Sequence, residues 1–107
     1  DKVDLSHELF ADDVFMKDAP NSTWVALVSK TEGTKVKLTF DNDGCIAVWS
    51  SYFEDQALTE QAKFVCLEPW SSVPVYCDDT EELTEMNNAM RLTPGSSYTF
   101  SYKIELD

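Results

Sequence analysis

The chain has 107 residues and a formal net charge of −12, from 20 acidic against 8 basic residues. Nucleic acids, anionic membrane surfaces and phosphorylated substrates are bound through basic groups, so this charge disfavours all three as partners. Hydrophobic residues make up 43% and aromatic residues 12% of the chain, enough for the core of a single domain over residues 1–107. No apolar run approaches the roughly 20 residues of a membrane-spanning helix.

The three cysteines are Cys45, Cys66 and Cys77, an odd number that does not favour a disulfide framework. Their spacing matches no zinc motif, and the single histidine, His7, is distant from them in sequence. The sequence therefore predicts no metal site and no cofactor. Reduced and largely buried thiols are the favoured interpretation, and they indicate a cytoplasmic protein.

An alternation of apolar and polar residues dominates the chain and predicts short antiparallel strands. Residues 23–29 are apolar on both faces, which predicts a central strand of a covered sheet. A turn at residues 32–33 is expected to lead into a strand over residues 35–40. Because residues 41–44 are turn formers, residues 45–49 are predicted to be the hairpin partner of that strand.

The next apolar run ends in an acidic residue followed by Pro69 and Trp70. Residues 51–61 before it have few apolar anchors and predict a connection with a short helical turn. Pro69 has no N–H for a sheet, so it is expected to end the strand and to leave Glu68 at its rim. A restrained carboxylate beside a flat indole suits a sugar-binding or proton-transferring site, although a solvent-facing strand end is the simpler alternative.

The last part of the chain combines an acidic cluster with a regular strand. Asp78 or Asp79 is expected to cap a short helix, and this acidic cluster lacks the spacing of a calcium loop, which favours a solvated surface. A type II turn is expected at residues 94–95. Residues 97–106 then alternate strictly, predicting a strand with one buried face formed by Tyr98, Phe100, Tyr102, Ile104 and Leu106. These elements together predict an all-β, antiparallel β-sandwich.

Four segments of the chain are Leu9-Phe10-Ala11-Asp12-Asp13, Val48-Trp49-Ser50, Phe64-Val65-Cys66-Leu67-Glu68-Pro69-Trp70 and Leu92-Thr93-Pro94-Gly95. In their order and approximate spacing, these segments resemble the C-terminal part of the aldose 1-epimerase, or galactose mutarotase, superfamily. The nearest resemblance is to bacterial galactose-mutarotase-related proteins. It covers nearly all of this chain but only the last part of a family member, and it implies that the chain is the C-terminal portion of a larger antiparallel β-sandwich.

The resemblance implies that Glu68 is a general base acting on the anomeric hydroxyl of an unphosphorylated aldose. Asp13 lies near the position of an aspartate that binds sugar hydroxyls in the family, with Asp12 as the neighbouring candidate. Trp70 is expected to line the site beside Glu68, whereas Trp49 is expected in the core. The family's acid is a histidine whose motif is absent here, and His7, expected at the surface, does not match it.

Two classes of function remain open on the sequence alone. One is an aldose 1-epimerase-like isomerase that opens the sugar ring by general acid and base catalysis, with its acid outside this chain. The alternative is a non-catalytic carbohydrate-binding or structural β-sandwich. The expected partners are a small sugar and either the N-terminal portion of the same protein or a second copy, because an uncovered sheet edge recruits other strands.

Overall fold

The computed structural model describes residues 2–18, 23–33, 35–41, 45–72, 80–86 and 89–107. Within them, six strands form two antiparallel three-stranded sheets, and the helices are three short 3-10 helices at His7–Phe10, Leu58–Glu60 and Leu83–Glu85. The predicted all-β, antiparallel class is therefore confirmed for this part of the chain. The strands are β1 (Phe15–Asp18), β2 (Trp24–Val28), β3 (Lys35–Phe40), β4 (Cys45–Trp49), β5 (Cys66–Trp70) and β6 (Tyr102–Leu106).

Strands β3 and β4 follow each other in the chain but belong to different sheets. The first sheet has the order β1-β4-β5, and the second sheet has the order β2-β3-β6. The predicted hairpin between residues 35–40 and 45–49 is therefore wrong. Both strands carry an apolar face, and placing them in two layers lets Leu38 and Phe40 pack against Ile46 instead of leaving them side by side.

A small apolar cluster joins the two sheets. Leu38, Phe40 and Ile46 are buried at its centre, and Val25 of β2 and Leu67 of β5 pack against it. Strand β4 has buried residues on both of its faces, because Cys45 and Ala47 are buried as well as Ile46 and Val48. β4 is thus the covered central strand of the first sheet.

The prediction that residues 23–29 form a covered central strand is wrong. β2 lies at an edge of the second sheet and pairs only with β3 among the described strands. Its two terminal residues, Trp24 and Val28, are 51% and 56% exposed. Their apolar character therefore reflects an uncovered outer face rather than a second layer of core.

Strand β5 continues through Pro69 to Trp70, so the prediction that Pro69 ends the strand is also wrong. Among the described strands, β5 pairs only with β4, which makes it an edge strand. An edge strand accommodates proline where no N–H is needed for the ladder. Glu68 consequently lies in the middle of the strand, opposite Ala47, and not at its rim.

The predicted buried face of the last strand is wrong within this chain. β6 begins only at Tyr102, and Tyr102, Ile104 and Leu106 are 60%, 58% and 80% exposed. Before β6, Tyr98 is also exposed and Phe100 is half-buried. The residues of the first sheet cover Leu38 and Phe40 on β3, but this cover does not extend to the neighbouring edge strand.

Both predicted glycine turns are confirmed. Gly33, between β2 and β3, has φ 68°, and Gly95 has φ 84°. The backbone N–H of Ser96 donates to the carbonyl oxygen of Thr93 at 3.0 Å, which closes a turn around Pro94 and Gly95. A positive φ at the third position is what a type II turn requires.

A buried glutamine holds the connection between β4 and β5. The side-chain amide of Gln61 donates to the carbonyl oxygens of Phe53 at 2.6 Å and Gln56 at 3.1 Å. Its side-chain oxygen accepts the backbone N–H of Phe53 at 3.0 Å. One side chain thus replaces the missing sheet contacts of this loop. The helical turn expected within residues 51–61 is the 3-10 helix Leu58–Glu60.

Cys45 is buried and Cys66 is half-buried. Cys77, the predicted turn residues 42–44 and the predicted helix cap at residues 78–79 lie outside the described residues. No helix in the described part of the chain combines the length and the apolar character needed to cross a bilayer.

Replacing Leu38 should test whether the cluster between the sheets carries the stability of the fold. Leu38→Ala removes a side chain that is only 4% exposed, so we expect a loss of about 2–5 kcal/mol in the free energy of unfolding. Leu83→Ala is the matched control, because Leu83 is 72% exposed and should change the value little. Urea denaturation followed by circular dichroism measures both, and equal losses would contradict this assignment.

Candidate functional site

The first sheet has an outer face that turns away from the second sheet. Side chains alternate across a strand, and Ile46 and Leu67 point into the cluster between the sheets. The residues of β4 and β5 that alternate with Ile46 and Leu67 therefore point outward. Strand pairing aligns Met16, Ala47 and Glu68 in one row across β1, β4 and β5. This outer face consists of Met16, Cys45, Ala47, Trp49, Cys66, Glu68 and Trp70.

Glu68 and Trp70 are joined by a hydrogen bond on the outer face. The indole Nε1–H of Trp70 donates to Oε2 of Glu68 at 3.1 Å, and both residues are half-buried. Residues two apart in a strand share a face, and Pro69 between them restrains the backbone. In the described part of the chain, the Trp70 indole is the one group that bonds to this carboxylate, and it bonds to Oε2.

Asp13 and Trp49 form a second pair of carboxylate and indole. Nε1–H of Trp49 donates to Oδ1 of Asp13 at 2.9 Å, and the Trp49 ring packs against Phe64 with 5.9 Å between centroids. Asp13 precedes β1 with φ 77°, a left-handed conformation that aspartate tolerates better than most residues. The prediction that Trp49 lies in the core is wrong, because it is half-buried on the outer face.

The predicted site residues are brought to one surface by the pairing of β4 with β5. Ala47 lies opposite Glu68, and Trp49, two residues further along β4, lies opposite Cys66. Trp49 and Glu68 are therefore diagonal neighbours, for which separations are roughly 7–8 Å. Through Trp49, the carboxylate of Asp13 is linked to the same surface. Sequence reasoning missed this role of Trp49, although its alternation with Ile46 and Val48 already places it on the opposite face.

A shallow cleft of about 530 Å³ lies at the C-terminal end of β5. Trp70 lines this cleft and also bonds to Glu68, but Glu68 itself is not part of the lining. Aromatic rings and serine residues both contribute to the walls. The lining residues are Pro69, Trp70, Ser71, Ser72, Met90, Tyr98 and Phe100.

His7 is more tightly held than the surface position expected from the sequence. It is half-buried, and its Nε2–H donates to the carbonyl oxygen of Ala62 at 3.1 Å. Phe10 of the same 3-10 helix is buried. The hydrogen bond of His7 attaches the N-terminal segment to the chain just before β5, which gives His7 a structural role.

Within the described residues, no group of three or more His, Cys, Asp or Glu side chains is arranged to hold a metal ion. The arrangement instead offers two carboxylates, each oriented by an indole N–H, and flat aromatic surfaces beside them. Carboxylate oxygens accept hydrogen bonds from hydroxyl groups, and apolar rings pack against C–H surfaces.

Comparison with known proteins gives two relatives but no family. No protein-family model matches the chain, and no solved structure matches it. It is 26% identical over 104 residues to "Protein LacX, plasmid" of Lactococcus lactis subsp. lactis, covering 97% of this chain and 32% of that protein. "Protein LacX, chromosomal" of the same organism is 25% identical with the same coverage. The chain thus spans about a third of the length of these relatives.

Substitutions of Asp13 should separate its backbone role from its charge. Asp13→Ala forces alanine to φ 77° and removes the acceptor for the Trp49 indole, so we expect a loss of about 1–2 kcal/mol in stability. Asp13→Asn keeps an acceptor and tolerates the same backbone conformation, so its stability should stay close to that of the parent chain. Thermal and urea denaturation measure both, and equal losses would contradict this explanation.

Proposed function

We propose that this chain carries the base of a site that interconverts the anomers of an unphosphorylated aldose, as aldose 1-epimerases do. The observation that supports this best is the Glu68 carboxylate, whose Oε2 accepts the Trp70 indole N–H at 3.1 Å. We propose that Oε1 of the same carboxylate faces the sugar. A general base must be oriented and must also remain accessible to the proton it removes.

In the proposed reaction, an oxygen of Glu68 accepts the proton of the anomeric hydroxyl. A carbonyl forms at C1, the bond from C1 to the ring oxygen breaks, and an acid donates a proton to the ring oxygen. Rotation about C1–C2 and the reverse steps give the other anomer. Base and acid each contribute roughly 10²–10⁴ in rate in such reactions, so the loss of either should be easy to measure.

The indole of Trp70 has two tasks in this proposal. Its N–H fixes the orientation of Glu68, and its ring supplies a flat surface for the C–H face of a sugar. Asp13, which is exposed, contributes a second carboxylate, whose Oδ1 accepts the Trp49 indole N–H and whose Oδ2 is proposed to accept hydrogen bonds from sugar hydroxyls. Trp49 in this way acts as a positioning residue for Asp13, as Trp70 does for Glu68.

We propose that the general acid is supplied from outside these 107 residues. His7, the chain's single histidine, donates a hydrogen bond to the backbone carbonyl of Ala62 and is not a member of the outer face. The relatives named above are about three times longer than the matched region, which leaves room for further site residues in a longer polypeptide. We also place the protein in the cytoplasm, where a reduced thiol such as Cys66 is maintained.

The second candidate is a non-catalytic carbohydrate-binding module. The cleft beside Trp70 favours it, because the cleft combines aromatic walls with Ser71 and Ser72 and does not include Glu68. Stacking on aromatic rings and hydrogen bonds to hydroxyls are sufficient to hold a sugar without chemistry. In this case sugar binding would be measurable and would not depend on the Glu68 carboxylate.

The decisive experiment replaces Glu68 by glutamine in the longest protein expressed from the gene. Glu68→Gln keeps the shape but removes the base, so mutarotation should fall by roughly 10²-fold or more while sugar binding largely remains. Polarimetry on a freshly dissolved single anomer measures the rate, and calorimetry measures the binding. Glu54→Gln is the matched control, because Glu54 is exposed in the loop between β4 and β5.

Equal mutarotation rates for the parent protein and Glu68→Gln would refute the assignment. Sugar binding without any mutarotation in the parent protein would favour the non-catalytic module. The chain of 107 residues alone should show little or no mutarotation, because its single histidine is engaged elsewhere.

A further inference from the structure

The second sheet ends at β6, whose outer edge no strand of the described part of the chain occupies. The backbone N–H of Asp107 donates to the carbonyl oxygen of Lys35 at 2.9 Å, and the carbonyl oxygen of Ser101 accepts from Asp41. Alternate residues of an antiparallel strand direct both backbone groups to the same neighbour. The odd-numbered residues of this strand therefore bond to β3, and the even-numbered ones direct their N–H and C=O groups away from it.

The open edge is apolar on one face. Tyr102, Ile104 and Leu106 are 60%, 58% and 80% exposed and continue the face that Leu38 and Phe40 present on β3. Their side chains share one face of the sheet, and their backbone N–H and C=O groups point outward from the open edge. An edge with unpaired backbone groups and an apolar face is a template for another strand.

The opposite face of β6 carries charges that are symmetric about Ile104. Lys103 precedes this residue and Glu105 follows it. If an identical strand lies antiparallel with the two Ile104 residues opposite each other, each Lys103 faces Glu105 of the other copy. These are the pairs without mutual backbone hydrogen bonds, whose side chains lie closest together.

We propose that β6 pairs with β6 of a second copy of this chain, antiparallel and with a two-fold axis at Ile104. The two second sheets then form one continuous six-stranded sheet, and the same patch is used by both copies. This inference does not rest on the proposed sugar function. In the single chain, Lys103 pairs with the exposed Glu105 of its own strand at 3.1 Å. In the dimer it pairs with Glu105 of the partner strand instead, so no ion pair is lost on association.

The net charge of −12 opposes any self-association, but the edge itself is nearly balanced. Lys103 pairs with Glu105 at 3.1 Å, and Lys35 of β3 lies 3.9 Å from Asp107. Charges further away are screened at physiological ionic strength, where the Debye length is about 8 Å. The local pattern therefore favours pairing, whereas the distant charges limit its strength.

Sedimentation equilibrium of the 107-residue chain tests the proposal through charge reversal. Lys103→Glu places Glu opposite Glu105 twice per dimer, so the dissociation constant of the dimer should rise roughly tenfold or more. Glu105→Lys should do the same through opposed lysines. The double variant Lys103→Glu/Glu105→Lys exchanges the charges and should restore the parent dissociation constant to within about threefold.

The matched control is Lys30→Glu, which makes the same change in net charge as Lys103→Glu. Lys30 pairs with Asp4 at 2.9 Å on the surface and is not part of β6, so this variant should dimerise like the parent chain. A chain that stays monomeric up to millimolar concentration would overturn the proposal. So would a dimer that is insensitive to both single reversals, or one that disappears in a longer gene product whose own strand takes the edge.

Discussion

Strands β3 and β4 face each other across the core, and most of the structure follows from this arrangement. Leu38 and Phe40 meet Ile46 there, so the chain must leave one sheet and enter the other between residues 41 and 45. The inner face of β4 therefore packs in the core. Its outer face, with the small residue Ala47 at the centre, pairs with the strand that carries Glu68, and Ala47 lies directly opposite Glu68.

The alternation of the sequence determined which residues form strands but not how the strands are ordered. The two-residue period of the sequence indicates which side chains share a face of a strand. Strands β3, β4 and β6 lie within the segments that this period predicted. The period carries no information on which sheet a strand joins, so the hairpin of β3 with β4 was predicted wrongly. The predictions that β2 and the apolar face of β6 are buried were wrong for the same reason, because an apolar face is buried only where another layer packs against it.

The contact between Glu68 and Trp70 could be predicted from the sequence, whereas the more distant contacts of the candidate site could not. Glu68 and Trp70 are two residues apart in one strand, and their contact follows from local geometry. The contact between Asp13 and Trp49 joins residues that are 36 positions apart, and it depends on the pairing of β1 with β4. Gln61 was missed because nothing in a polar loop residue signals that its amide will bond to three backbone groups.

The three tryptophans have a consequence for spectroscopy. Trp49 and Trp70 each donate their indole N–H to a carboxylate, and the ammonium of Lys37 lies 5.0 Å from the ring centre of Trp24. Indole emission responds to charges near the ring, so every fluorophore of this type in the chain reports on a different charged neighbour. Two of them lie on the outer face and one on the second sheet, and single replacements by phenylalanine would assign each optical signal to its own surface without any added label.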